Sequence, residues 1–226
     1  MQQGLLPLSY PQSIDLCDFV VANCNQLAFD LLHKTISGTA KEQFICIYGD
    51  PGCGKTHLLH GFAAENNIIY LNTKQVIGST PREWGYSDAK ILILDDADQV
   101  NDDVWWFHLY NFIKEQNKIL IIGARKAPLM WSVQLADLRS RLSTFVCAEM
   151  RNPDDDTLKR VLEKIWKDKG IMVNNAILEY LSRRIDRNFP AICHWANKID
   201  LMSAKSKRPI TISMLHTLFT NKDMVE

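Results

Sequence analysis

Gly49-Asp50-Pro51-Gly52-Cys53-Gly54-Lys55-Thr56 decides how the rest of this chain is read. The stretch fits G-x-x-x-x-G-K-[ST], a phosphate-binding loop. Its glycines let the backbone curl until its N–H groups point inward at a phosphate. The helix that follows adds the positive end of its dipole. Lys55 would reach the outer phosphates, and the hydroxyl of Thr56 would hold Mg²⁺. Local context agrees with the motif. An apolar run, Phe44 to Tyr48, reads as a buried strand before the loop, and Thr56 to Ala64 reads as a helix after it. Gly49, Pro51, Gly52, Cys53, Gly54, Lys55, Thr56 and His57 are therefore candidate nucleotide contacts.

Composition narrows the setting. The chain has 226 residues, enough for one large core or a core domain with a small companion. Apolar residues make up 46% and charged residues 23%, ordinary for a globular protein in water. Formal net charge is zero, which argues against a protein whose main task is gripping DNA phosphates. No apolar run approaches a membrane span, and MQQGLLPLSYPQS lacks the basic start and apolar core of a signal peptide. The six cysteines show no C-x-x-C pair and no metal spacing, so free thiols in a reducing cytoplasm are expected. His57 and His60 sit three apart on a helix with no third ligand in view, and ordinary helix positions are the simpler reading.

Along the chain, residues 1–11 read as an extended leader, because Gly4, Pro7 and Pro11 discourage helix. Residues 12–152 read as an α/β domain and residues 153–226 as a small helical domain. A helix is expected from Asn25 to Lys34. Five β-rich runs are expected to be strands: Phe44–Tyr48, Ile68–Leu71, Lys90–Leu94, Lys118–Ile122 and Thr144–Ala148. Helical patterns between most of them predict a five-stranded parallel sheet covered on both faces. After Pro153 the pattern turns helical. Asp154-Asp155-Asp156-Thr157 opens an amphipathic helix with acids at its positive end. Further helices are expected over Asn174–Arg184, Pro190–Lys205 and Ile212–Asn221.

The second half of a nucleotide site follows from Ile91-Leu92-Ile93-Leu94-Asp95-Asp96, an apolar strand ending in two acids and expected to lie beside the loop. Asp95 would hold Mg²⁺, directly or through water. Asp96 could polarise an attacking water, although a polar turn at the strand end explains the same residues. Further on, Leu135-Ala136-Asp137-Leu138-Arg139-Ser140-Arg141-Leu142 carries two arginines before the fifth strand. On chemistry alone these are surface arginines on a helix. An arginine so placed can also project toward a neighbouring subunit's nucleotide and stabilise the departing γ-phosphate, an effect worth roughly 10³–10⁵ in rate.

Loop, double-acid strand, arginine segment and helical lid together resemble the AAA+ ATPases, and finer segments resemble the DnaA group of bacterial replication initiators. Phe19-Val20-Val21-Ala22-Asn23-Cys24-Asn25-Gln26-Leu27-Ala28 is similar to the group's segment before the first helix, so the resemblance places Phe19, Val20, Val21 and Asn25 near an adenine. Gly54-Lys55-Thr56-His57-Leu58-Leu59-His60 and Phe107-His108-Leu109-Tyr110-Asn111 also resemble that group. DnaA initiators continue into a DNA-binding domain, whereas this chain stops at Glu226 after the lid. It is similar in this to short DnaA-related regulators. That resemblance implies an adaptor that joins the DNA-loaded β sliding clamp of DNA polymerase III and promotes hydrolysis of ATP bound to DnaA, thereby preventing re-initiation. It implies ADP or ATP with Mg²⁺ as cofactors, a cytoplasmic, nucleoid-associated protein, and contact with DNA through the clamp. It also makes Arg141 the arginine finger acting in trans. Homo-oligomerisation stays open.

Gln3-Gly4-Leu5-Leu6-Pro7-Leu8 resembles the clamp-binding peptide Q-x-x-L-P-L of those regulators. Gln3 would hydrogen-bond at a polar subsite, Pro7 would stiffen the peptide, and Leu6 and Leu8 would fill an apolar pocket. Two positions depart from the group. Ala124 stands where an acid or other polar residue normally positions the hydrolytic water, and a methyl group makes no such hydrogen bond. Pro190 stands where a lid arginine normally reaches the nucleotide. Both departures predict weak hydrolysis in cis and a nucleotide, ADP foremost, kept as a structural cofactor. Two other functions fit the same residues: a self-contained ATPase that loads a helicase, and a tether that links clamp and DnaA without catalytic help.

Overall fold

The computed structural model describes residues 16, 19–66, 68–76, 78–80, 88–206 and 208–220. Five strands, β1 (Phe44–Tyr48), β2 (Ile68–Asn72), β3 (Ile91–Asp95), β4 (Ile119–Ala124) and β5 (Val146–Glu149), form one sheet in the order β2-β3-β4-β1-β5. Every pairing is parallel. Successive side chains on a strand point to opposite faces, and both faces here are apolar. Ile45, Ile47, Ile93 and Ile121 bury one face against Leu32 of helix α1 (Gln26–Ile36) and Leu58, Leu59 and Phe62 of helix α2 (Lys55–Glu65). Their neighbours Phe44, Cys46, Leu92, Leu94, Leu120 and Ile122 bury the other face. A four-residue helix α3 (Thr73–Val76) follows β2 directly. Helix α4 (Asp103–Glu115) covers the second face with Trp106, Leu109, Tyr110 and Ile113, and helix α5 (Ala136–Leu142) adds Leu138 and Leu142.

The sequence expectation for β1 matches the observed strand. Elsewhere the strand limits move. Strand β4 runs on through Gly123 and Ala124 because both pair with β1, opposite Ile47 and Tyr48. Strand β5 begins at Val146, two residues late, because Thr144 still belongs to the turn leaving α5: its N–H and its hydroxyl both donate to the Arg141 carbonyl, at 3.0 and 2.7 Å. The end of the double-acid strand β3 lies beside the loop, as expected, where Thr56 contacts Asp95, and β4 stands between β3 and β1 in the sheet.

The C-terminal helices build a third core. They are α6 (Asp155–Asp168), α7 (Asn175–Ser182), α8 (Phe189–Ser206) and α9 (Ile212–Thr220). Leu158, Leu162 and Trp166 recur at helical spacing on α6 and meet Leu181, Ile192, Ile199 and Leu215. Each such aliphatic side chain contributes roughly 1.5–3 kcal/mol on burial. Side-chain caps start three of these helices. Asp154 accepts from Thr157 N–H at 2.8 Å, Asn174 from Ile177 N–H at 3.0 Å, and Asn188 from Ala191 N–H at 2.8 Å. The molecule is thus a five-stranded parallel α/β unit followed by helices with a core of their own. Among the described residues no helix is long and apolar enough to cross a membrane. The five described cysteines, Cys24, Cys46, Cys53, Cys147 and Cys193, are free thiols.

Candidate functional site

The loop sits at the C-terminal end of β1. Gly49 is required there by close approach: a Cβ on it would lie 2.0 Å from the Met150 carbonyl oxygen. Gly54 takes a left-handed conformation, φ +95°, and α2 starts at the next residue. Lys55 is 8% exposed, and its ammonium donates to the carbonyls of Gly49 at 2.7 Å and Asp50 at 3.0 Å. An anionic phosphate oxygen accepts from an ammonium more strongly than a neutral carbonyl does, so a phosphate can take over these bonds. Cys53 is buried in the same loop, and burial pushes its thiol up while Lys55 opposes the shift. Asp50 and Pro51 form the exposed outer side.

Asp95 ends β3 and is 2% exposed. Although β3 is not beside β1, Thr56 Oγ1 donates to Asp95 Oδ2 at 2.6 Å, because α2 runs back along the sheet after the loop. This pair of hard oxygen donors suits Mg²⁺, which is held by one or two carboxylates together with phosphate oxygens. No group of three or more His, Cys, Asp or Glu residues among the described residues could hold a metal alone. Asp96 follows in a left-handed conformation, φ +53°, and donates its N–H to Asp95 Oδ1 at 3.0 Å. Thr73 Oγ1 donates to the Asp96 carbonyl at 2.7 Å and the Asp95 carbonyl at 3.2 Å, holding the turn. Burial and the carboxylates of Asp95 and Asp98 raise the Asp96 pKa, against Arg125 and Lys55.

The Phe19–Asn25 segment runs between α2 and the lid. The Phe19 ring meets His57 edge-on with centroids 5.5 Å apart and stacks on Phe29 at 6.3 Å. Val20 packs on the lid core, and the Val21 carbonyl accepts from Arg160 Nη2 at 3.3 Å. Asn25 is buried; it accepts from Ala22 N–H at 2.8 Å and donates to the Val20 carbonyl at 3.0 Å. At the departures from the group pattern, the Ala124 side chain belongs to the core under α4, and its carbonyl accepts from Gly49 N–H at 3.2 Å. The start of α8 lies on the loop: Phe189 N–H donates to the Gly52 carbonyl at 3.0 Å. A Cβ on Gly52 would lie 3.3 Å from Pro190 Cδ. Arg187, the lid cation nearest in sequence, donates instead to Asp155 at 2.9 Å.

Arg141 lies in the last turn of α5. Its guanidinium stacks over the Phe107 ring at 4.1 Å, pairs with Asp137 at 2.9 Å, and donates to Asn111 Oδ1. A surface hollow of about 290 Å³ opens beside it, lined by Tyr110, Asn111, Lys114, Ser140, Arg141 and Thr144. Helices α4 and α5 cover the opposite sheet face from α1 and α2. The loop residues, Thr56, Asp95 and Asp96 therefore come together, and Arg141 stands apart from them. Arg139 is exposed and donates to the Val133 carbonyl at 3.4 Å. Gln3, Leu6, Pro7 and Leu8 lie outside the described residues.

Three contributors escaped the sequence reading. Tyr70 donates its hydroxyl to Asp95 Oδ2 at 2.9 Å. Gly123 leaves room for that carboxylate, since a Cβ there would lie 2.3 Å from Asp95 Oδ1. Phe189 touches the loop through its backbone, which carries no sequence signal.

The sequence profile of the bacterial DnaA ATPase domain matches residues 12–149. An uncharacterized protein of Haemophilus influenzae is 31% identical over 218 residues, covering 92% of this chain and 94% of that protein. The chromosomal replication initiator protein DnaA of Nautilia profundicola is 26% identical, over 82% of this chain and 47% of the initiator. The chain thus spans about half the length of the DnaA initiators it matches. In three dimensions it resembles domain III of Thermotoga maritima DnaA, with a TM-score of 0.75 at 18% identity over 93% of this chain and 97% of that one. AMPPCP-bound DnaA from Aquifex aeolicus gives a TM-score of 0.71 at 22% identity over 84% of this chain and 66% of that one. With its profile match running over more than half its length, this chain belongs to the bacterial DnaA ATPase domain family.

Proposed function

We propose that this chain is a nucleotide-bound regulator of replication initiation of the Hda type. It joins the DNA-loaded β sliding clamp through Gln3–Leu8 and completes a composite ATPase site with a DnaA initiator. One observation carries the reading: an ordered, half-buried arginine on the far side of the sheet from its own phosphate loop. Arg141 is aimed away from the chain's own cradle, as a residue serving a neighbour's nucleotide would be. Its guanidinium would stabilise charge on the γ-phosphate of DnaA-bound ATP, with the products ADP and phosphate leaving from the partner's site.

The chain's own loop serves a different role in this reading. Lys55 and the loop N–H groups hold the phosphates of ADP or ATP, Thr56 and Asp95 hold Mg²⁺, and Phe19 to Asn25 flank the base. Asp96 is the candidate for orienting water. Ala124 and Pro190 supply neither polar group nor charge, so hydrolysis in cis is slow. The contact from Phe189 N–H to the Gly52 carbonyl supports a structural nucleotide. A ligand that fixes the loop backbone thereby fixes the lid.

The tether reading is favoured by a separate fact: the guanidinium is already paired with Asp137. One experiment decides between them. Conversion of DnaA-bound ATP to ADP is measured with and without this protein and clamp-loaded DNA, for wild type and Arg141→Ala. Stimulation that needs clamp and Arg141 supports the regulator. No stimulation by either protein, with nucleotide and clamp binding intact, would leave the tether, and turnover by the isolated chain, abolished by Lys55→Ala, would leave the helicase loader.

A further inference from the structure

Asp95 is enclosed on every side that the structure describes. Its Oδ2 accepts two hydroxyl protons, from Thr56 at 2.6 Å and Tyr70 at 2.9 Å, and its Oδ1 accepts the Asp96 N–H at 3.0 Å. Gly123 on β4 closes the remaining side with no side chain of its own. Tyr70 comes from β2, where it pairs with Ile93, so its ring reaches along the strand direction to the end of β3. The ring is half-buried under α2, with the His60 ring edge-on at 5.1 Å. A carboxylate oxygen only accepts, so the phenol hydroxyl is the donor in this bond.

We propose that Tyr70 is the positioning residue of the cation half of the nucleotide site. Its hydroxyl holds the Asp95 carboxylate in the one orientation from which Oδ2 also takes the Thr56 proton. The lone pairs of the Thr56 oxygen are thereby left to face a cation bound with the phosphates. Losing the phenol hydroxyl frees the carboxylate to rotate and with it the Thr56 hydroxyl. This inference rests on the reading of the loop as a Mg²⁺–nucleotide site.

Tyr70→Phe removes the hydroxyl and keeps the ring. The test is the affinity of the full chain for a fluorescent ADP analogue, titrated with Mg²⁺ and repeated in EDTA. Partners that orient metal ligands are worth roughly 10–100-fold in metal affinity. The expected result is a Mg²⁺ midpoint raised about tenfold or more in Tyr70→Phe, with affinity in EDTA within about twofold of wild type. An unchanged midpoint overturns the proposal. So does an equal loss with and without Mg²⁺, which would mark a merely structural tyrosine. A wild-type chain that binds no ADP in either condition sinks the nucleotide reading itself, and the proposal with it. Wild-type binding that tightens with Mg²⁺ beside an unaltered Tyr70→Phe sinks the proposal alone.

Discussion

The phosphate loop and the Arg141 surface are both cationic, yet they are held in place by different means. The loop is restrained through its backbone. Glycines set its path, and Lys55 rests on carbonyls from its own loop, five and six residues away. The Arg141 surface is restrained through side chains. A ring below, a carboxylate one turn back and an amide 30 residues earlier in the chain fix one guanidinium. The loop ammonium is nearly buried, with its protons on carbonyls that a phosphate oxygen would outcompete. The guanidinium faces partly outward, its side chain 22% exposed, with a donor geometry already set. Preorganised charge at a surface costs little reorganisation when a second molecule arrives. The difference is the one expected, under the proposed function, between a site for the chain's own cofactor and a surface offered to a partner.

Arg141→Ala tests that separation most severely. Stimulated hydrolysis on DnaA should fall by roughly 10³–10⁵, the range for a lost arginine finger. The affinity of the chain for ADP should not move; a parallel loss of ADP binding would merge the two regions into one. Lys55→Ala is the converse. Removing one partner of a buried charge contact costs about 2–5 kcal/mol, so ADP binding should weaken by at least about 30-fold, read by equilibrium titration. If Arg141 acts independently of the resident nucleotide, stimulation at saturating ADP should survive.

Smaller effects sharpen the comparison. Asp154→Ala removes the cap of α6, the first lid helix, and should cost about 1 kcal/mol in chemical denaturation at neutral pH. Its bonds to Thr157 hold the Asp154 carboxyl below the usual carboxylate range. The sign follows: stabilisation is complete above the unfolded pKa, near 3.9, and is lost as pH falls through the lower folded value. The gap between wild type and variant should therefore be constant from pH 7 to about 5 and close only in acid. Asp137→Ala breaks the i,i+4 pair to Arg141. Such pairs are worth about 0.2–0.5 kcal/mol, so stability should barely change. Stimulation should hold within a fewfold, because Phe107 and Asn111 still seat the guanidinium. A collapse to the level of Arg141→Ala would show that the carboxylate alone sets the arginine.

The two regions also differ in how legible they were. Gly49 to Thr56 is a local motif: eight consecutive residues carry the turn, the anion cradle and the helix start, and Phe44–Tyr48 announces the strand before them. Arg141 was found only as one of two arginines, and resemblance rather than chemistry chose between it and Arg139. Its partners Phe107 and Asn111 lie on a different helix, and no spacing rule links α4 to α5. Tyr70 was read only as part of an apolar strand. On β2 a tyrosine is an ordinary strand former, and only the register with β3 brings its hydroxyl to Asp95.

By itself the sequence determined what short-range chemistry can determine. Continuous apolar runs alternating with helical patterns dictated a two-sided parallel sheet, the glycine-rich turn dictated the cradle, and Asp154 and Pro153 marked the change to a helical lid. Tertiary structure decided what depends on strand order and helix crossing. It placed β4 between β1 and β3 and still joined Thr56 to Asp95. It seated Phe189 on Gly52 and set Arg141 on the face opposite α2. The physical reason is range: backbone conformation and periodicity act within a few residues, whereas a binding site collects side chains from strands and helices far apart in the chain.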